Sequence, residues 1–139
     1  MAGYSGTPLL KKLGVKEGFR IALSDAPKSF LQELSNLPPG ASVVNRTSSP
    51  VDLIVLFVNS ERKLKEKFQQ YAEKLKANGM IWVAWPKKSS GVKTDLAFEN
   101  VQKTGLEAGL VDVKICAIDE IWSGLKFVYR LQDRADRSK

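Results

Sequence analysis

Apolar residues recur along this chain with two periods, one suited to helices and one to strands. Leu9, Leu10 and Leu13 share one side of a short helix that Thr7 caps, Pro8 opens and Gly14 ends. Residues 19–23 form a strand. Ser24-Asp25-Ala26-Pro27 then turns into a helix over 27–36, with Phe30, Leu31 and Leu34 on one side. Pro38-Pro39-Gly40 breaks it. A short strand over 41–45 leads through the polar connection Arg46-Thr47-Ser48-Ser49-Pro50. Residues 51–58 are apolar except for Asp52, the pattern of a central parallel strand covered on both faces.

The helical period returns after Ser60, a good cap. Leu64, Phe68, Tyr71 and Leu75 recur at spacings of 4, 3 and 4, and Asn78-Gly79 can end the helix. Arg62 with Glu66 and Glu61 with Lys65 mark its solvated side. A strand over 80–85 follows, then the loop Pro86-Lys87-Lys88-Ser89-Ser90-Gly91. Thr94 or Asp95 can cap a further helix that runs to about residue 108, with Gly109 at its end. Strands over 111–118 and 125–131 close the pattern, joined through residues 119–124.

The order α-β-α-β-β-α-β-α-β-β predicts one α/β domain over residues 1–132 and a polar tail over 133–139. Strand-helix alternation implies a mostly parallel three-layer sheet, Rossmann-like or methyltransferase-like. The last connection is too short for a parallel crossover, so an antiparallel strand is expected at the C-terminal end.

Composition narrows the chemistry. At 139 residues, 43% hydrophobic and 27% charged, the chain can bury a core without metals or disulfides. Histidine is absent. That excludes His-based acid–base catalysis, Ser-His-Asp and Cys-His arrangements and His metal ligands. Cys116 is the single cysteine, so no intrachain disulfide forms; a reducing, cytoplasmic setting is expected. No secretory signal is visible, and the apolar run at 51–58 is far short of the roughly 20 residues that span a bilayer. No metal-ligand cluster and no cofactor motif is seen. The net charge of +7 favours polyanions, but its lysines and arginines are spread over several segments, so nucleic-acid binding is possible without a motif to support it.

Open α/β sheets bind ligands beyond the carboxyl ends of their strands. Three segments belong there: Ser24-Asp25-Ala26-Pro27, Asn59-Ser60 and the loop over 86–93. The last is richest. Lys87, Lys88 and Lys93 supply cations, Ser89 and Ser90 hydroxyls, and Gly91 accessible backbone. The expected helix start at Thr94 would add N–H groups suited to a phosphate or carboxylate. A solvated lysine-rich turn accounts for the same residues, and no Walker A motif is present. The first turn lacks the Gly-x-Gly-x-x-Gly of dinucleotide or S-adenosylmethionine sites, so Ser24 and Asp25 read as a turn and cap. Asp119 and Glu120 beside Trp122 read as a polar hairpin turn with an aromatic anchor, although Asp119 can pair with a loop lysine if the strand ends are neighbours. Cys116 reads as a small buried hydrophobe, and Trp82 and Trp85 point to opposite faces by parity.

Three segments together resemble a known family. They are Gly3-Tyr4-Ser5-Gly6-Thr7-Pro8-Leu9-Leu10-Lys11-Lys12-Leu13-Gly14, Trp85-Pro86-Lys87-Lys88-Ser89-Ser90-Gly91 with Thr94-Asp95-Leu96, and Cys116-Ala117-Ile118-Asp119-Glu120-Ile121-Trp122-Ser123-Gly124-Leu125-Lys126-Phe127. The family is one of small bacterial proteins defined only as a domain of unknown function. The resemblance implies a bacterial, single-domain cytoplasmic protein and supplies no activity, cofactor or catalytic residue.

The residues support three functions, in this order. The first is a binding module in which Tyr4, Ser5, the Lys87-Lys88 loop and the Asp119–Trp122 turn gather around a small anionic ligand or a protein partner. The second is a degenerate methyltransferase-like enzyme. The third is weak nucleic-acid binding.

Overall fold

Within residues 8–44 and 50–137, which the computed structural model describes, six strands form one mixed sheet. The chain runs through α1 (Leu9–Lys12), β1 (Arg20–Ser24), α2 (Lys28–Leu31), β2 (Ser42–Val43), β3 (Val51–Phe57), α3 (Glu61–Ala72), β4 (Leu75–Pro86), α4 (Phe98–Glu107), β5 (Leu110–Ala117), β6 (Trp122–Tyr129) and α5 (Leu131–Arg137). The strand order is β2-β1-β3-β4-β6-β5. β1, β2, β3 and β4 are mutually parallel, and β6 is antiparallel to both β4 and β5. Thr7, the expected first cap, lies outside the described residues, and Pro8 itself occupies the N-cap of α1.

Alternation along β3 splits the core in two. Leu53, Val55 and Phe57 join Leu9, Leu10, Leu13 and Phe30 from α1 and α2. Ile54 and Leu56 join Leu64 and Phe68 from α3 and Val101 from α4. Helices therefore cover both faces, and the expected three-layer α/β architecture is present. Each fully buried Leu or Phe contributes roughly 1.5–3 kcal/mol by leaving water. Trp82 and Trp85 fall in opposite layers, as parity requires.

Asp52, the charge inside the most apolar strand, sits where two elements start. One oxygen accepts the Arg20 N–H at the head of β1 at 2.8 Å, and the other lies 3.1 Å from the Lys76 ammonium. Lys76 belongs to an irregular start of β4, and that start corrects the sequence reading. α3 ends at Ala72, not at Asn78-Gly79. Leu75, assigned above to the helix, pairs with Val51, and the register then shifts before Met80 pairs with Leu53. Gly79 is required by close approach rather than by a helix end. A Cβ there would lie 2.9 Å from the Asp52 carbonyl oxygen and 2.5 Å from Leu75.

Three further boundaries differ. The helix expected over 27–36 is α-helical only to Leu31 and continues as a 3-10 turn over Gln32–Asn36. α4 begins at Phe98, three residues after Asp95. Residues 133–137, the described part of the expected polar tail, belong to α5.

Candidate functional site

The sheet reverses its direction of winding at β1. From β1 the chain crosses to β2 on one side, then returns to β3 on the other. The carboxyl ends of β1 and β3 thus flank the switch-point crevice in which open α/β sheets bind ligands. Ser24 ends β1 there, 3% exposed, and its hydroxyl has no hydrogen-bond partner among the described residues. Asp25 follows with φ of 54°, in the left-handed region that Asp tolerates better than most residues. Neither residue caps α2, as the sequence reading had it; Pro27 stands at that N-cap without a side-chain cap bond. The Asp25 carboxylate instead lies 3.9 Å from Lys67 of α3.

One strand further along, the Lys-Ser-Gly loop folds back over the start of α3. Ser60 caps this helix by accepting the Lys63 N–H at 3.2 Å. Asp95 reaches across and accepts the Glu61 N–H at 2.8 Å. The Thr94 hydroxyl donates to the Asn59 carbonyl at 2.7 Å and accepts the Leu96 N–H. Thr94 and Asp95 were expected to cap α4. They fasten the loop to α3 instead, and Asn100 takes over at α4 by accepting the Ala97 N–H and donating to the Asp95 carbonyl. The loop therefore does not run into the N-terminus of the helix that follows it; it lies against that of the helix before it.

Asn59, Ser60, Lys88, Gly91, Lys93 and Thr94 line an open groove of about 730 Å³. Its hydroxyls are largely committed. Ser90 Oγ donates to the Lys87 carbonyl at 2.6 Å and accepts the Val92 N–H, closing the 3-10 turn Lys88–Ser90. Gly91 ends that turn with φ of 76°, a conformation glycine adopts without strain. Lys88, Ser89 and Lys93 remain exposed.

Lys87 is half-buried and faces another neighbour. Its N–H donates to the Ile121 carbonyl at 2.7 Å, which joins the loop to the β5–β6 hairpin. Asp119 lies in that hairpin. Its Oδ1 accepts the Ile121 and Trp122 N–H groups, both at 2.8 Å, so it is a turn-forming carboxylate. Trp122 is half-buried, with its ring edge-on to Phe57 at 5.1 Å. The strand ends are thus neighbours, and the carboxylate that could have met a loop lysine is spent on its own turn. Tyr4 and Ser5 lie outside the described residues. Sequence reading did not see the links from Asp95 to Glu61 and from Thr94 to Asn59, which span 34 and 35 residues. Among the described residues, no group of three or more Cys, Asp or Glu could hold a metal. Nor is any helix there long and apolar enough to cross a membrane.

Solved structures share this architecture. Precorrin-6y C5,15-methyltransferase from Geobacter metallireducens superposes with a TM-score of 0.64 at 11% identity, over 88% of this chain and 86% of that one. Aeropyrum pernix fibrillarin, solved with natively bound S-adenosyl-L-methionine, gives 0.62 at 15% identity, over 91% and 70%. A SAM-dependent methyltransferase from Aquifex aeolicus gives 0.58 at 16% identity, over 86% of each chain. These identities establish a methyltransferase-like fold and nothing about activity. No sequence among the curated proteins matches the chain. A family model does match, over residues 24–131, and the chain belongs to that family, described as "Protein of unknown function (DUF3052)".

Proposed function

We propose that this chain is a binding module that takes a small anionic ligand in the groove between the Asn59-Ser60 turn and the loop over 87–96. The observation that carries this reading is the state of the groove's carboxylate. Asp95 is the acidic residue among the described lining residues, and it is engaged with the Glu61 N–H. Lys88 and Lys93 are left exposed with their charge unanswered there. A groove of about 730 Å³ falls in the range of small-molecule sites. Exposed Val92, in the groove lining beside Lys93, suits an anion with an apolar part, including an acidic peptide. A bacterial, cytoplasmic setting is part of the reading. It is supported by the motif resemblance and by the single cysteine, which can form no internal disulfide.

Inorganic phosphate titrated into ¹⁵N-labelled protein tests the site. The Gly91, Val92 and Lys93 amides should shift. Changing Lys88 and Lys93 together to alanine should weaken binding by about tenfold, equivalent to ~1.4 kcal/mol. Shifts confined to other residues, or an affinity indifferent to the double substitution, would reject the reading.

A second reading is a degenerate methyltransferase-like enzyme. The unpartnered Ser24 hydroxyl at the switch point favours it. The first turn carries Asp25 and Pro27 where S-adenosylmethionine sites need backbone access, and that counts against it. Titration with S-adenosylmethionine separates the two readings, because absence of both heat and thermal shift leaves only the first.

A further inference from the structure

On the opposite side of the molecule from α3 and α4, Lys114 of β5 and Lys126 of β6 are directly paired in the antiparallel ladder. Paired residues leave the sheet on the same face with Cβ atoms about 4.5–5.5 Å apart, and like charges there are destabilising. The face is fixed by Trp82, the β4 partner of Lys126, which packs in the α1 layer. Trp82 Nε1 donates to the Leu13 carbonyl at 2.8 Å and so holds the end of α1 against this face. Leu13 lies between Lys12 and Lys16. Burial, then Lys114, then Lys16 lower the pKa of Lys126. Lys12 and Lys114 act in the same way on Cys116, two residues from Lys114 on the same face, where burial is the larger effect and raises the thiol. The Lys114–Lys126 pair thus has Lys16 within electrostatic reach of Lys126, and Lys12 within reach of Cys116 on the same face. The ion pairs found among the described residues, Lys65–Glu61, Lys67–Asp25 and Lys76–Asp52, lie elsewhere.

Lysine on an edge strand guards against edge-to-edge pairing, and β5 is an edge. That accounts for Lys114. It does not account for Lys126, on a strand paired on both sides, or for Lys12 and Lys16 beside it. Folding gains nothing from gathering these charges, so a polyanion is the natural counterpart. Lysine is a compact point charge that meets a phosphate from many directions. Around the ladder lie Val111, Cys116 and Val128, half-buried and without an aromatic platform for bases. Glu17 and Glu33, which line a groove with Lys11 and Lys16, bound the basic area on one side.

We propose that the β5–β6 face bearing Lys114 and Lys126, with Lys12 and Lys16 of the α1 end, docks the phosphodiester backbone of nucleic acid without reading its sequence. The test uses a fluorescein-labelled duplex of mixed sequence, with anisotropy measured across a series of salt concentrations. Affinity should fall linearly in log–log form as salt rises. The Lys114→Gln/Lys126→Gln variant should bind on the order of tenfold more weakly and lower the salt slope by about two. The Lys63→Gln/Lys103→Gln variant loses the same charge from α3 and α4 on the other side of the sheet and should bind like the parent. Three results would overturn the proposal. They are no complex at low salt, an equal loss in both variants, and polyglutamate binding with the same lysine dependence while the duplex does not bind. Unchanged thermal melting of the Gln variant confirms that the loss is not unfolding.

Discussion

The Asp95 carboxylate accepts the first backbone N–H of α3, that of Glu61, at 2.8 Å. The positive end of a 12-residue helix therefore already has an anion, supplied by the protein from the loop after β4. This one bond fastens the loop, closes the helix end and sets the charge of the candidate groove.

Removing that carboxylate should separate its two roles. Asp95→Ala should cost about 1 kcal/mol of stability, typical of a lost helix cap, with the loop loosened. It should also raise the affinity for inorganic phosphate, because an external anion can take the vacated position. Chemical denaturation and a phosphate titration of the same variant check both effects. An affinity that fell with stability would show that Asp95 shapes the groove more than it competes with its ligand.

Gly105 lies inside α4, where glycine usually costs about 1 kcal/mol relative to alanine. Here the order should reverse. A Cβ at this position would run into the Phe127 ring, which is fully buried and packs edge-on against Phe68. Gly105→Ala should destabilise by about 1–3 kcal/mol through overpacking. Denaturant midpoints of this variant and of a solvent-facing alanine control in α4 would measure the difference.

The periodicity of the apolar residues was enough to find both layers, because Leu64, Phe68 and Tyr71 bury one face and residues 51–57 are covered on both. It misjudged ends where a tertiary contact decided them. Leu75 continues the helical spacing but is taken by Val51 into the sheet, and Gly79 answers to the Asp52 backbone rather than to a helix end. The candidate loop was visible as a cluster of lysines and serines. Its chemistry was not, because local bonds consume Ser90 and Asp119, while Thr94 and Asp95 are consumed by the distant start of α3 at Asn59 and Glu61. The lysine ladder was invisible for another reason. Lys114 and Lys126 are 12 residues apart and meet only through the hairpin register, which a one-residue bulge near Val113 sets.

Trp82 is fully buried and uses its single polar atom to hold Leu13, 69 residues away. Trp82→Phe keeps an aromatic ring but leaves the Leu13 carbonyl without that donor and a void beside it. A loss of roughly 2–4 kcal/mol is expected, combining an unsatisfied buried acceptor with lost packing. Hydrogen exchange should quicken at the α1 end, including Leu13 and Val15, more than in α3. Uniform acceleration across the domain would mean that α1 unfolds only with the rest.

Burial raises the Cys116 thiol above its ordinary pKa of 9.0, against the pull of Lys12 and Lys114. The folded protein thus holds this proton to higher pH than the unfolded chain does. The stabilising contribution is complete below about pH 9, where both states are protonated, and declines as pH rises and the unfolded thiol ionises first. Iodoacetamide should alkylate Cys116 more slowly than a cysteine in a short peptide at pH 8, since only the thiolate attacks. Lys114→Gln removes one of the two charges that favour the thiolate, so it should slow alkylation further and move the pH–rate curve upward. A faster reaction in that variant would show that Lys114 acts mainly by shielding the thiol from solvent.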